Sequence, residues 1–240
     1  RDTSVTGVQT CALPISRKPL DFKFWLDHHF NQGFEKIYLR VEETPELKDL
    51  FTSHPRAADI KVEYHDKVDK TDNWWTKMDR QDDMCRKAIK VCEERGIDWI
   101  LHCDDDELVY NPGDLIEYFD KVPSEYNGLA METIEAVFPD IRNGSFRRTN
   151  KFVRCKTTPK CRSYYGVKSA ARIMPGLVPF GPHQWNNTEG YSVWWENDMR
   201  ILHFESSTFE GWKLKYKTMM VKDREIPEGF DFYHDSIAAV

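Results

Sequence analysis

The chain has 240 residues, a mass of 28.4 kDa, a net charge of −6 and a pI near 5.8. Its 14 Phe, 8 Trp and 10 Tyr, within a composition that is 40% hydrophobic and 31% charged, exclude a disordered tail and fit one globular domain with a substantial core. The acidic balance argues against nucleic acid or an anionic membrane as partner, since both need a concentrated basic surface, and no apolar run approaches the roughly 20 residues that span a bilayer.

Residues 1–16 carry neither the apolar core of a signal peptide nor an amphipathic period. Val5 to Ile15 back-translates to a sequence resembling an index adapter of short-read DNA sequencing. The segment is therefore expected to be translated adapter, and a single domain lacking its first strand is expected over residues 17–240. From Pro19 to Gln32, Leu20, Phe24, Trp25, Leu26, His28 and Phe30 predict a helix that Gly33 stops. Lys36 to Glu42 reads as a strand, Thr44 and Pro45 as the N-cap and first position of a short helix to Phe51, and Asp59 to His65 as a second strand. Cys85, Ala88, Ile89 and Cys92 form an apolar stripe that predicts a helix over 79–95, ended by Gly96 and followed by a buried strand over 98–103. Alternating helices and strands predict an α/β fold, a mostly parallel sheet flanked by helices.

A helix from Pro112 is expected to pack Leu115, Ile116 and Phe119 inward. Beyond Pro123 the pattern becomes irregular and β-rich: strands are expected over 128–138, 152–156, 167–174 and 199–205, with Pro, Gly and Asn crowding 176–190. Ser207-Thr-Phe-Glu210 reads as a capping box opening a helix with Phe209, Trp212, Tyr216 and Met219 inward. The cysteines show no zinc spacing; Cys85 and Cys92 are read as core, and Cys155 and Cys161 as able to close a small loop in an oxidising compartment. Asn143-Gly-Ser145 and Asn186-Asn-Thr188 are glycosylation sequons, relevant only in a secretory lumen.

The chemistry concentrates in Trp99-Ile-Leu-His-Cys-Asp-Asp-Asp-Glu107, an apolar strand running into four acids. Adjacent carboxylates repel, the C-terminal edge of an α/β sheet is where ligands bind, and a divalent cation relieves the repulsion. Asp104 and Asp106 fall on one side of extended chain, spaced to share a hard ion, against the alternative of a solvated acidic turn. The adjacent pair His28-His29 is read as structural, because neighbouring helical side chains diverge by about 100°.

Asp98-Trp-Ile-Leu-His-Cys-Asp-Asp-Asp-Glu107 resembles the acidic strand end of GT-A glycosyltransferases, in particular the family 2-like and family 92 group with algal and viral members. Trp25 to Leu39 is similar to the helix and strand of that group, His203 to Lys213 to its late His–Ser–Phe–Lys segment, and Gly181-Pro-His-Gln-Trp185 to its Gly–Pro–His segment. The matches run in order from about residue 20 to 217. The resemblance implies a GT-A, Rossmann-like fold whose β-rich part serves the acceptor, and transfer of a sugar from a nucleotide-diphosphate donor to a glycan or other hydroxyl acceptor. Mn²⁺ or Mg²⁺ would bridge the diphosphate. Asp106 is then the direct metal ligand, with Asp104 nearer a water or the ribose and Asp105 beside it on the donor side. His203 and His183 compete for a late ligand position, and His203 reads equally as a core histidine.

Lys168 and Arg172 are the candidate cations for the diphosphate, or else a cationic strand edge. Arg80 and Gln81, before the acidic strand, are placed to reach the donor or to form helix surface. Inverting transfer needs a general base, for which Glu196 and Asp198 are candidates and Glu135 a competitor. Trp185, Trp194 and Trp195 are candidate acceptor platforms, although tandem Trp also suits a core. The family's first strand and loop, which hold the nucleotide base, are expected to be missing where the adapter-like segment stands. The rival readings are a noncatalytic carbohydrate-binding protein of the same fold and a metal-dependent phosphohydrolase.

Overall fold

The computed structural model describes residues 8–12, 21–67, 74–137, 147, 149–154, 167–181, 183–204, 209–210, 212–213, 216–217 and 238. Among them a mixed sheet is flanked by helices, as the alternating sequence pattern predicts. The strands are β1 (Val8–Ala12), β2 (Lys36–Glu42), β3 (Ile60–His65), β4 (Trp99–Cys103), β5 (Glu107–Tyr110), β6 (Gly128–Ala136), β7 (Phe152–Val153), β8 (Val167–Arg172), β9 (Leu177–Phe180), β10 (Gln184–Asn187) and β11 (Val193–His203). The helices are α1 (Phe22–Asn31), α2 (Leu47–Ser53), α3 (Trp74–Arg95) and α4 (Leu115–Asp120).

The main sheet has the order β3-β2-β1-β4-β8-β6-β11-β5, with β7 beside β6, while β9 and β10 form a separate hairpin. Its first half is parallel, and beyond β4 the pairings turn antiparallel except between β6 and β11. Val8–Ala12, set apart in the sequence, occupies the strand position between β2 and β4.

The period of two along the strands divides the core into two layers. Ile37, Leu39 and Val41 of β2 and Trp99, Leu101 and Cys103 of β4 face α1, α2 and α4, where Trp25, Leu26, Phe51, Leu115 and Phe119 are buried. Tyr38 and Ile100, one residue out of step, face Met84, Cys85, Ala88 and Cys92 of α3. The cysteine stripe is therefore core packing, and burial pushes the Cys92 thiol up to about 12.

The helices differ from the sequence pattern at their starts. Thr44 turns its hydroxyl onto the Glu42 carbonyl at 2.9 Å, so α2 begins at Leu47 after a turn. Proline likewise leaves residues 111–114 outside α4, whose cap is Asp114 accepting the Ile116 amide at 2.8 Å. The strand β5 and the β9–β10 hairpin have no counterpart in the sequence reading. The sequence signal around residue 207 falls partly outside the described residues; Trp212 and Tyr216 are helical and in ring contact, and Tyr216 is buried while Phe209 is exposed. Cys155, Cys161, Asn143 and Met219 lie outside the described residues, and Asn186 is exposed on β10. No helix among the described residues is long and apolar enough to cross a membrane.

One consequence of this topology builds the site. Residues 104–106 carry the chain from β4 to β5, which lies four pairings away at the sheet edge. Four pairings span roughly 19 Å in a flat sheet, and the chain from Cys103 to Glu107 reaches at most about 14 Å. The Cys103 sulfur lies 3.6 Å from the Glu107 carbonyl oxygen, so the sheet curls around this end. The curl gathers residues from β4, β5, β6, β8 and β11 at the acidic turn.

Candidate active site

The turn after β4 is held by α1. The Trp25 indole N–H donates to the carbonyls of Asp104 at 3.0 Å and Glu107 at 2.8 Å. Next along the strand, His28 Nε2 donates to the Val109 carbonyl at 2.6 Å, and the Val109 amide donates to His29 Nε2 at 3.3 Å. That acceptor role leaves His29 Nδ1 as donor to the Trp25 carbonyl at 2.9 Å, which makes its ring neutral. Burial, reinforced by His28, holds the pKa of His29 well below its ordinary value. The His28-His29 pair is thus a clamp on the β5 backbone.

Lys168 of β8 is completely buried and lies 3.0 Å from both Asp104 Oδ2 and Glu107 Oε2. Glu107 Oε2 also accepts the Asp104 amide at 2.8 Å, closing the turn. Burial alone would raise Asp104, but Lys168, together with His102, His183 and Lys77 behind it, outweighs that effect and keeps the carboxyl well below the usual range. Glu107 is pushed up to about 7 by burial and by the Asp104 charge, against the pull of Lys168. Asp104 offsets the Lys168 ammonium, so the charge of the cluster follows Glu107 and becomes negative as Glu107 ionises, with the Asp106 carboxylate beside it as a further attraction for a cation.

Asp106 points the other way. Its carbonyl accepts the Phe204 amide at 2.8 Å, which ties the turn to the end of β11, and its carboxylate is 37% exposed. Oδ2 lies 3.6 Å from His203 Nε2. His203 Nδ1 donates to Glu135 Oε1 at 2.6 Å, the two residues being paired across β11 and β6. Burial opposes a charge on His203, yet Glu135 and then Asp106 reverse that effect and hold its pKa well above the ordinary value. His183, at the β9–β10 hairpin, lies within electrostatic reach of Lys168, Asp104, His102 and His203, and burial followed by Lys168 keeps it neutral.

Among the described residues no group of three or more His, Cys, Asp and Glu is preorganised around a metal. The pair Asp106–His203 nevertheless suits Mg²⁺ or Mn²⁺, ions that take one or two protein ligands and complete their shell with water and phosphate oxygen. Asp104 fits less well as a direct ligand: Oδ2 is held by Lys168, and Oδ1, which makes no hydrogen bond, lies 4.0 Å from His102 Nε2.

The other sequence candidates disperse. Arg172 stands at the opposite end of β8, paired with Trp99; it donates to the carbonyls of Tyr126 at 3.2 Å and Val122 at 2.8 Å and lies over the Trp99 ring. Arg80 donates to buried Glu42 at 3.0 Å, and Gln81 is buried on α3. Trp185 is buried with its indole on the Ser169 carbonyl, Trp194 packs on Tyr126, and Trp195 is 59% exposed. Glu196 borders the bulge in β11 and Asp198 lies within it, beyond the Arg200–Tyr110 pairing and near Tyr118, away from the turn. Glu107, Trp25 and the His28-His29 clamp were absent from the sequence-derived site. Glu107 adjoined the motif, but its inward orientation depends on β5 pairing with β11.

No family model matches the chain. It is similar to a glycosyltransferase-like protein of Arabidopsis thaliana, at 28% identity over 229 residues, covering 77% of this chain and 51% of that protein. The chain thus spans about half the length of that relative. Among solved structures it is similar to HddC from Yersinia pseudotuberculosis, at 11% identity and a TM-score of 0.41 over 86% of this chain and 97% of that one. A putative glucose-1-phosphate thymidylyltransferase from Bacillus anthracis, in complex with a sucrose, gives 12% identity and a TM-score of 0.40, covering 93% and 99%.

Proposed function

We propose that the chain is a metal-dependent glycosyltransferase that moves a sugar from a nucleotide-diphosphate donor to an acceptor hydroxyl. The carrying observation is the Asp106–His203 pair at 3.6 Å, with Asp106 reaching solvent and His203 buried, beside the Asp104–Lys168–Glu107 cluster. The similarity to a glycosyltransferase-like protein supports the same reading.

Asp106 and His203 would hold the cation, and when bound it would neutralise charge on the departing nucleoside diphosphate. Lys168 serves from below: it helps to keep Asp104 ionised and fixes Glu107 against the turn, so that the acidic turn holds its shape before any donor arrives. Being fully buried, Lys168 acts through those carboxylates and is not a direct phosphate contact. Asp105, next in the turn, and His183, within electrostatic reach of Asp104 and His203, are assigned to the donor side. Transfer with inversion needs a general base, and the distance of Glu196 and Asp198 from the turn leads us to assign that role to neither.

The test is calorimetric titration of UDP and GDP, with and without Mn²⁺, into the chain and into Asp106→Ala. Metal-dependent binding that weakens at least about tenfold in the variant is the expected result. Nucleotide binding indifferent to both metal and Asp106, or no binding at all, overturns the reading.

A further inference from the structure

Glu135 is 6% exposed, and its carboxylate is engaged with His203. A general base must reach the proton it removes, which such a buried group at the foot of a histidine does not. The pairing of β6 with β11 sets Glu135 directly beside His203, while the pairing of β11 with β5 sets Glu107 on its other side. An imidazole hydrogen-bonded through one nitrogen to a carboxylate has its ring rotation and tautomer fixed, and its second nitrogen aimed. Here the second nitrogen is Nε2, and it faces Asp106 Oδ2.

We propose that Glu135 is a positioning residue: it fixes the His203 ring through the Nδ1–H bond, so that Nε2, which gives up its proton as the ion binds, is presented with Asp106 to a divalent cation. This rests on the transferase reading for the identity of what Nε2 meets, but the Glu135–His203 bond itself does not. Ordering the ring in advance removes its rotational freedom before the ion arrives, so the cost falls on folding and not on binding. The neighbouring carboxylates have other work, since Glu107 is bonded to Lys168 and the Asp104 amide, and Asp106 is the facing ligand.

The experiment compares the parent chain with Glu135→Gln and Glu135→Ala, each first shown to unfold cooperatively. In the ion-free proteins, ¹⁵N-labelled histidine gives the His203 Nδ1 proton resonance; it should be present and exchange-protected in the parent, weakened in Glu135→Gln, whose amide oxygen still accepts, and lost in Glu135→Ala. Mn²⁺ affinity, read from the free-ion electron paramagnetic signal, should fall about 10–100-fold in Glu135→Ala and less in Glu135→Gln. If the parent takes up no Mn²⁺, the transferase reading fails, while an Nδ1 resonance lost only in the variants still supports the positioning role. A resonance indifferent to Glu135, or Mn²⁺ affinity unchanged in Glu135→Ala, overturns the proposal.

Discussion

The two ends of β8 carry one cation each and treat it in opposite ways. Lys168 is completely buried between two carboxylates, whereas Arg172, four residues and about 13 Å along the same strand, rests on backbone carbonyls and the Trp99 ring. The difference follows from where the sheet curls. At the Lys168 end five strands converge on one turn and bring acids with them; at the Arg172 end the neighbouring chain offers carbonyls. A charge in the first setting is fixed by partners that would be intolerable without it, and a charge in the second is an ordinary anchor.

Removing Lys168 breaks this contrast most severely. Lys168→Met leaves buried Glu107 and partly buried Asp104 without their counter-ion, and a loss of about 3 kcal/mol is expected from urea denaturation. A loss under about 1 kcal/mol would mean that water reaches the cluster. Loss of the Trp25 indole bonds comes next. Trp25→Phe keeps most of the ring but strands the carbonyls of Asp104 and Glu107, for about 2 kcal/mol in the same assay. Arg172→Leu should cost less, about 1.5 kcal/mol, and should leave any Mn²⁺ binding unchanged. If Arg172→Leu proves as costly as Lys168→Met, the two ends are equivalent and the comparison fails.

These sites differ also in how far the sequence reveals them. The strands over 36–42 and 99–103 and the cysteine face of α3 are local patterns, each legible in a window of some ten residues. The acidic turn was legible for the same reason. What the turn touches was not, because Lys168 is 64 residues from Asp104 and His203 is 68 from Glu135, and only strand order and register bring them together. Lys168 and Arg172 look alike in Gly-Val-Lys-Ser-Ala-Ala-Arg, and pairing with β4 alone shows that they occupy different ends. The strand β5 escaped notice because its first residue is an acid, and an acid inside a strand reads as polar until the buried lysine beside it is known. The hairpin β9–β10 was hidden by the Pro, Gly and Asn that usually mark loops.

The smallest effect expected is a pH dependence, and it separates the backbone clamp from the charged cluster. His29 is buried neutral, with its folded pKa well below the unfolded value of about 6.5. As pH falls through that value the unfolded chain takes up a proton at this position that the folded chain refuses, so the contribution of His29 to stability is complete above about pH 6.5 and is lost below it. The sign is opposite for His203, whose raised pKa favours the folded state at low pH and loses that contribution as pH rises through the folded value. Against this background, the difference between the parent and His29→Gln isolates the clamp. That difference should shrink by about 1 kcal/mol between pH 7 and 5.5, read from urea midpoints at constant ionic strength. A difference that stays flat across the interval would mean that His29 is protonated in the folded protein, and the Val109 amide would then need another acceptor.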